Sequence, residues 1–157
     1  MIRKSYKYRI YPNNKQKVLI ENHFDCCRFM YNWGLEQKLK AYEKDKKHLS
    51  WADLGKMQPT PKTLPWLEGV LVQSLQASLL NLDNAFTRFF RKKANFPRFK
   101  SKKISKHTYS YQQGTKIDFK NNRIWIPKIK YVKAKISRSF EGKIKTSTVY
   151  RTRRRIS

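Results

Sequence analysis

Apolar residues recur at helical spacing in the first part of the chain and at alternate positions in the last part. Ile20, Phe24, Cys27, Tyr31, Leu35, Leu39 and Tyr42 follow steps of three and four, which predicts one long helix. Leu19, Met30 and Trp33 widen that stripe, so the helix is expected to be covered on two sides. Asn13, followed by Gln16 three residues on, has the form of an N-terminal capping pair, and helicity should fade by Lys46-Lys47. Gly34 lies inside this helix at a cost of about 1 kcal/mol against alanine, which marks either close packing or a bend. Ser50-Trp51-Ala52-Asp53 is a second capping signature. Pro59, Pro61 and Pro65 keep the helix after it short. Val72, Leu75, Leu79, Leu82, Phe86 and Phe89 predict a third helix over residues 69–92, with Arg91-Lys92-Lys93 at its electrostatically favourable end.

The strand signals differ in kind. Residues 3–11 alternate basic with aromatic or apolar side chains, a strand with one basic face, and Pro12-Asn13-Asn14 ends it. Beyond Asn95 the pattern turns to short extended runs at Tyr109–Tyr111, Lys116–Phe119, Arg123–Ile126, Tyr131–Ile136 and Gly142–Tyr150. Five or six antiparallel strands of this spacing make an α+β fold with a small barrel or sheet. The helices then form a unit of residues 12–104, inserted between a strand unit's two parts, 1–11 and 105–157.

Charge changes the picture from fold to partner. The 157 residues carry 37 Lys and Arg against 10 Asp and Glu, a net charge of +27. Residues 1–90 contribute +7 of this and residues 91–157 contribute +20. A compact protein so charged repels itself unless a polyanion neutralises it, so nucleic acid is the expected partner. Aromatics make up 14% of the chain, far too many for a disordered basic tail. No run of about 18 apolar residues predicts a membrane span, and the N-terminus lacks the apolar core of a signal peptide. A cytoplasmic, nucleoid-associated protein of bacterial type is expected. The adjacent Cys26 and Cys27 read as small buried residues rather than a disulfide or a zinc site.

Candidate catalytic chemistry is sparse. A two-metal nuclease needs clustered carboxylates, yet eight of the ten acids lie in the helical part, and Asp118 and Glu141 stand far apart in the rest. His23, His48 and His107 have no ligand spacing, and His23 is expected to be a satisfied helix histidine. No cofactor and no metal are expected. The nucleic-acid signals are stronger. In residues 96–106, Arg98, Lys100, Lys102 and Lys103 are interleaved with Phe96 and Phe99, so cations can neutralise phosphates while rings stack on bases. The alternative is a basic linker whose phenylalanines dock into the core. No lysine occurs from Val72 to Phe86, where Gln73, Gln76, Asn84 and, just beyond, Arg88 form a polar helix face. Amides of this kind suit base-edge readout, or equally pack against a sheet. Lys128, Lys130, Lys133 and Lys135 are expected to line one side of the strands and to track phosphates.

An ordered series of short motifs resembles a known family. It runs through Tyr6-Lys7-Tyr8-Arg9-Ile10-Tyr11-Pro12, Cys27-Arg28-Phe29-Met30-Tyr31-Asn32-Trp33, Ser74-Leu75-Gln76, Asn81-Leu82-Asp83 and Phe96-Pro97-Arg98-Phe99-Lys100-Ser101-Lys102-Lys103 to Ile126-Pro127-Lys128. In order and spacing these resemble the N-terminal part of the TnpB/OrfB proteins of bacterial insertion sequences. The resemblance implies a helical recognition domain inserted into a wedge-like β-barrel, binding a guide RNA and reading a short DNA motif beside the target. Gln76 falls in the motif that faces that DNA, and Trp51 and Gln112 lie in regions that face the same groove. Full-length members continue into a RuvC-like nuclease fold and usually a zinc ribbon, neither of which this sequence carries. The sequence-based expectation is therefore a truncated, non-cutting binder. Two alternatives stand beside it: a helix-turn-helix DNA-binding accessory of transposition, and one half of a split nuclease that joins a separate nuclease chain.

Overall fold

A computed structural model of the chain describes residues 5–103, 107–136, 142–152 and 155–156. The elements are β1 (Arg9–Tyr11), α1 (Asn14–Asp45), α2 (Trp51–Met57), a single 3-10 turn (Pro65–Leu67), α3 (Val72–Phe90), β2 (His107–Tyr111), β3 (Lys116–Asp118), β4 (Arg123–Ile126), β5 (Lys130–Lys135), β6 (Ser147–Thr152) and β7 (Arg155–Ile156). Residues 3 and 4 of the expected first strand, 104–106 of the basic segment and Glu141 lie outside the described residues.

The local signals set the helix ends. The Asn13 side chain accepts from the Gln16 amide at 2.8 Å, and Gln16 Oε1 accepts from the Asn13 amide at 3.0 Å. Ser50 and Asp53 form the same reciprocal box at α2, at 3.1 and 3.0 Å. Each such box satisfies two orphan backbone donors. α3 begins differently. No side chain of its own caps it; instead the Leu71 amide donates to Nε2 of His23, 3.2 Å away on α1. The start of α3 is thus fixed by tertiary contact, which is why sequence periodicity placed it three residues early.

α1 and α3 pack along one another and supply the helical part of the core. Gly34 lies on α1 where α3 packs tightly against it. A methyl at that position would sit 2.9 Å from both Leu79 Cδ2 and Leu82 Cδ2, so this glycine serves close packing rather than a bend. The ends of both expected stripes depart from the core: Tyr42 and Val72 are exposed and Leu39 and Phe89 half-buried. Conversely Lys38 is buried, its ammonium donating to the Leu49 carbonyl, 3.9 Å from Asp83 and 4.9 Å from the Phe86 ring centre. Burial lowers its pKa, and Asp83 opposes that shift.

The strands are antiparallel throughout but do not close into the expected barrel. Among the described residues they form a four-stranded sheet in the order β1-β5-β4-β3 and a three-stranded sheet in the order β2-β6-β7. The divide falls between β2 and β3. Gly114 there has φ of +112° and lies so close to Pro127 that an added methyl would meet the ring at 2.5 Å. The chain turns so sharply at this point that consecutive strands enter different sheets. Thr115 bridges the two facing residues at one end of the smaller sheet, hydrogen-bonding Tyr111 Oη at 2.6 Å and Ser147 Oγ at 2.7 Å. An ion pair from Arg151 on β6 to Glu21 on α1, at 2.8 Å, ties that sheet to the helices.

Candidate nucleic-acid interface

The amide-rich face of α3 is built by three elements. α2 places Trp51 so that its indole N–H points at the Gln76 carbonyl, 3.5 Å away. The β2–β3 turn places Gln112 and Gln113 so that both backbone amides donate to Oε1 of Gln73 at 3.2 Å. Trp51 and Gln112, far from α3 in sequence, therefore meet it on the surface that carries Gln73 and Gln76. Their roles differ. Gln73 is half-buried, and its carbonyl oxygen is committed to holding the turn; Gln76, Asn84 and Arg88 are exposed along the same helix. The Gln76 and Asn84 side-chain amides are left exposed on α3 by this geometry.

The basic segment after α3 splits into two environments. Arg98, Lys102 and Lys103 are exposed. Lys100 turns inward. Its backbone is gripped by Asn32, and its ammonium lies 4.1 Å from the Tyr31 ring centre. It lines a polar cleft between α1, α3 and β2 with Arg28, Ser78, Asn81 and His107. Desolvation lowers its pKa. Phe96 packs edge-on to Phe86 and Phe89, at centroid distances of 5.4 and 5.1 Å, yet stays 43% exposed, and Phe99 is more exposed still. The segment is pinned to the helices, as the docked-linker alternative expects, while Phe96 and Phe99 keep exposed ring surface.

The expected row of lysines is not one row. Lys128 lies in the β4–β5 turn with φ of +71°, and Lys130, with φ of +74°, opens β5. Lys133 and Lys135 do share a face, but with aromatic and arginine neighbours that periodicity alone did not single out. Register puts Tyr11 opposite Lys133, Lys133 opposite Arg123, and Trp125 opposite Tyr131. Strand alternation exposed each of these residues in the sequence; the missing signal was which strands would be neighbours.

His23, Cys26, Cys27 and Asp118 are held in local contacts or buried. His23 is fully buried between the Leu19 carbonyl, 2.8 Å from Nδ1, and the Leu71 amide, and burial lowers its pKa. Cys26 and Cys27 are free thiols, pushed up by desolvation to about 11 and about 12. The Asp118 carboxylate, held down to about 2, accepts from the Asn121 side chain at 2.9 Å, from Arg123 Nε at 2.9 Å and from the Asn121 backbone. Among the described residues no three acidic, histidine or cysteine side chains gather into a metal-binding group, and no helix is long and apolar enough to cross a membrane.

An α+β scaffold with an amide-lined helix face and a net charge of +27 defines a nucleic-acid-binding protein. Its sequence relatives specify the kind. Residues 1–47 match the family model of the helix-turn-helix domain of OrfB proteins of the IS605 type. The chain is 32% identical over 148 residues to a protein of Escherichia coli K12 named "Putative RNA-guided DNA endonuclease InsQ", covering 92% of this chain and 37% of that protein. It is 30% identical over 131 residues to a "Putative RNA-guided DNA endonuclease" of Streptomyces pristinaespiralis, covering 81% of this chain and 32% of that one. The chain belongs to the TnpB/OrfB family, and it spans about a third of the length of the curated relatives it matches. The matched helix-turn-helix span contains one unbroken helix, α1, so a helix pair is completed only by α3 packing across it.

Proposed function

We propose that this chain grips a guide RNA and reads a short DNA motif beside the target, and that its own residues bind without cutting. The observation that carries the reading is the convergence of Trp51, Gln76 and Gln112 on the lysine-free face of α3. Positively charged surfaces hold phosphates wherever they occur, whereas a neutral amide flanked by an indole discriminates base edges. Gln76 is the reader in this proposal, Trp51 its lateral wall, and Gln73 the residue that positions the Gln112 turn. Arg88, Arg98, Lys102 and Lys103 supply the phosphate contacts, with Asn84 beside them. The non-cutting part rests on Asp118, which is saturated by Arg123 and Asn121 and so is ill-placed to hold a metal.

A second reading, assembly with a separate nuclease chain, is favoured by one feature. Phe90 is 62% exposed beside Phe89 and Phe96, an apolar patch that a protein partner could cover.

The test is to purify the protein from its host and sequence the nucleic acid that survives a high-salt wash. One discrete RNA, together with a duplex-motif preference that Gln76→Ala relaxes, supports the first reading. Heterogeneous nucleic acid and an unchanged preference would overturn it.

A further inference from the structure

The outer face of the β1-β5-β4-β3 sheet has the makings of a stacking platform. Directly opposed residues of antiparallel strands share a face, so register decides its composition. One row across the sheet reads Tyr11, Lys133, Arg123, Asp118; the next reads Tyr131, Trp125, Lys116. The opposite face, carrying Ile10, Val132, Ala134, Ile124 and Ile126, is buried in the core. Aromatic rings and cations therefore interleave on the solvent side of a sheet whose other side is apolar.

Three contacts make this face more than a scatter of residues. Trp125 and Tyr131 meet edge to face at 5.1 Å between centroids. The Arg123 guanidinium lies 3.9 Å from the Tyr131 ring centre, at stacking distance. Its Nε donates to Asp118 at 2.9 Å, which holds the guanidinium in place. Tyr11 is 49% exposed and Tyr131 40% exposed, although each belongs to a paired strand. The single acid of the face, Asp118, is consumed by Arg123 and Asn121, so the field over the sheet is positive.

We propose that this outer sheet face binds a single-stranded stretch of nucleic acid, stacking unpaired bases on Tyr131, the Arg123 plane and Tyr11, with Lys133 and Lys135 on the phosphates. Bases in a duplex are already stacked on one another and cannot offer their flat faces to a sheet, so the platform selects unpaired strands. Its chemistry is common to single-stranded RNA and single-stranded DNA. The site is separate from the α3 face; it shares with the function proposed above only the premise that the chain binds nucleic acid.

The test measures fluorescence anisotropy of the full 157-residue chain with labelled ten-nucleotide oligo(U), oligo(dT) and a ten-base-pair duplex across a salt series. Tyr131→Ala should weaken both single strands about tenfold, leave the duplex unchanged and leave the salt slope unchanged. Tyr131→Phe should restore binding, which separates stacking from loss of fold, and Tyr11→Ala on the edge strand should repeat the effect. Lys133→Ala should instead reduce the salt slope by about one unit. Loss for oligo(U) alone would assign the face to RNA, and equal loss for oligo(U) and oligo(dT) to single strands of either sugar; both support the proposal. Equal loss for single strands and duplex, no loss, or no rescue by phenylalanine would overturn it. Gln76→Ala serves as the independent arm: it should change duplex-motif preference and leave oligo(U) affinity alone, so either site can fail without the other.

Discussion

Asn32 holds Lys100 by its backbone from both sides: the Asn32 amide nitrogen donates to the Lys100 carbonyl at 2.9 Å, and the Lys100 N–H donates to Asn32 Oδ1 at 2.7 Å. One side chain on α1 thereby fixes the basic segment to the helices across 68 residues of sequence. Asn32→Leu removes both bonds and leaves two backbone groups without partners. A loss of about 1–3 kcal/mol is expected, read from the urea midpoint. Nucleic-acid affinity should fall as well, because Lys100, Lys102 and Lys103 lose a common position. Unchanged affinity in a folded Asn32→Leu protein would show that this segment does not need to be held.

His23 makes stability depend on pH. Its ring caps α3 as a neutral imidazole, and burial lowers its pKa from the ordinary 6.5. The nearby charge of Lys128 pushes the same way, against the hydrogen bond to Leu19. The unfolded chain thus takes up a proton at higher pH than the folded one. The stabilisation is complete above the unfolded value of 6.5 and is lost as pH falls below it. Urea midpoints should drop between about pH 7 and pH 5, and His23→Gln should flatten that drop at the expense of overall stability. A slope that survives His23→Gln would assign it to other groups.

Gly34→Ala sets helix propensity against space. Alanine gains about 1 kcal/mol in an exposed helix. Here its methyl would come within 2.9 Å of the Cδ2 methyls of Leu79 and Leu82, both fully buried, so these side chains would have to shift within the packed core. Overpacking of this kind costs about 1–3 kcal/mol, so net destabilisation is expected, and Gly34→Val should be worse. A thermal melt settles the sign.

Gln73 and Gln76 should separate position from recognition although they lie one helical turn apart. Gln73→Ala frees the Gln112–Gln113 amides and should lower stability by about 1 kcal/mol. Gln76→Ala removes an exposed amide and should leave stability unchanged while costing about 1–3 kcal/mol of discrimination among duplex sequences. Paired melting and binding-competition measurements distinguish them; identical behaviour would mean that the α3 face has a single role.

The two cysteines should be inert. Both are buried, with thiols raised to about 11 and about 12, so little thiolate exists near neutral pH. Ellman's reagent should label them only after denaturation.

Much of this protein was legible along the chain because the signals are local. The capping boxes at Asn13–Gln16 and Ser50–Asp53 involve residues three apart, and a helix face repeats every three or four, so the three α-helices of the described residues follow from spacing. The positive charge and the lysine-free stretch of α3 are matters of composition. Contacts between distant residues carry no such period. That His23 would cap α3, that Lys38 would enter the core, and that Gln73 would hold a turn 39 residues away depended on how the helices and strands docked. The sheets show the limit most clearly. Alternation marked the strands, but it is indifferent to neighbours, and only pairing placed Tyr11 beside Lys133 and Trp125 beside Tyr131. Local chemistry determined the elements; the tertiary structure chose which of their faces meet, because a strand's hydrogen bonds and a helix's apolar stripe can each be satisfied by more than one partner.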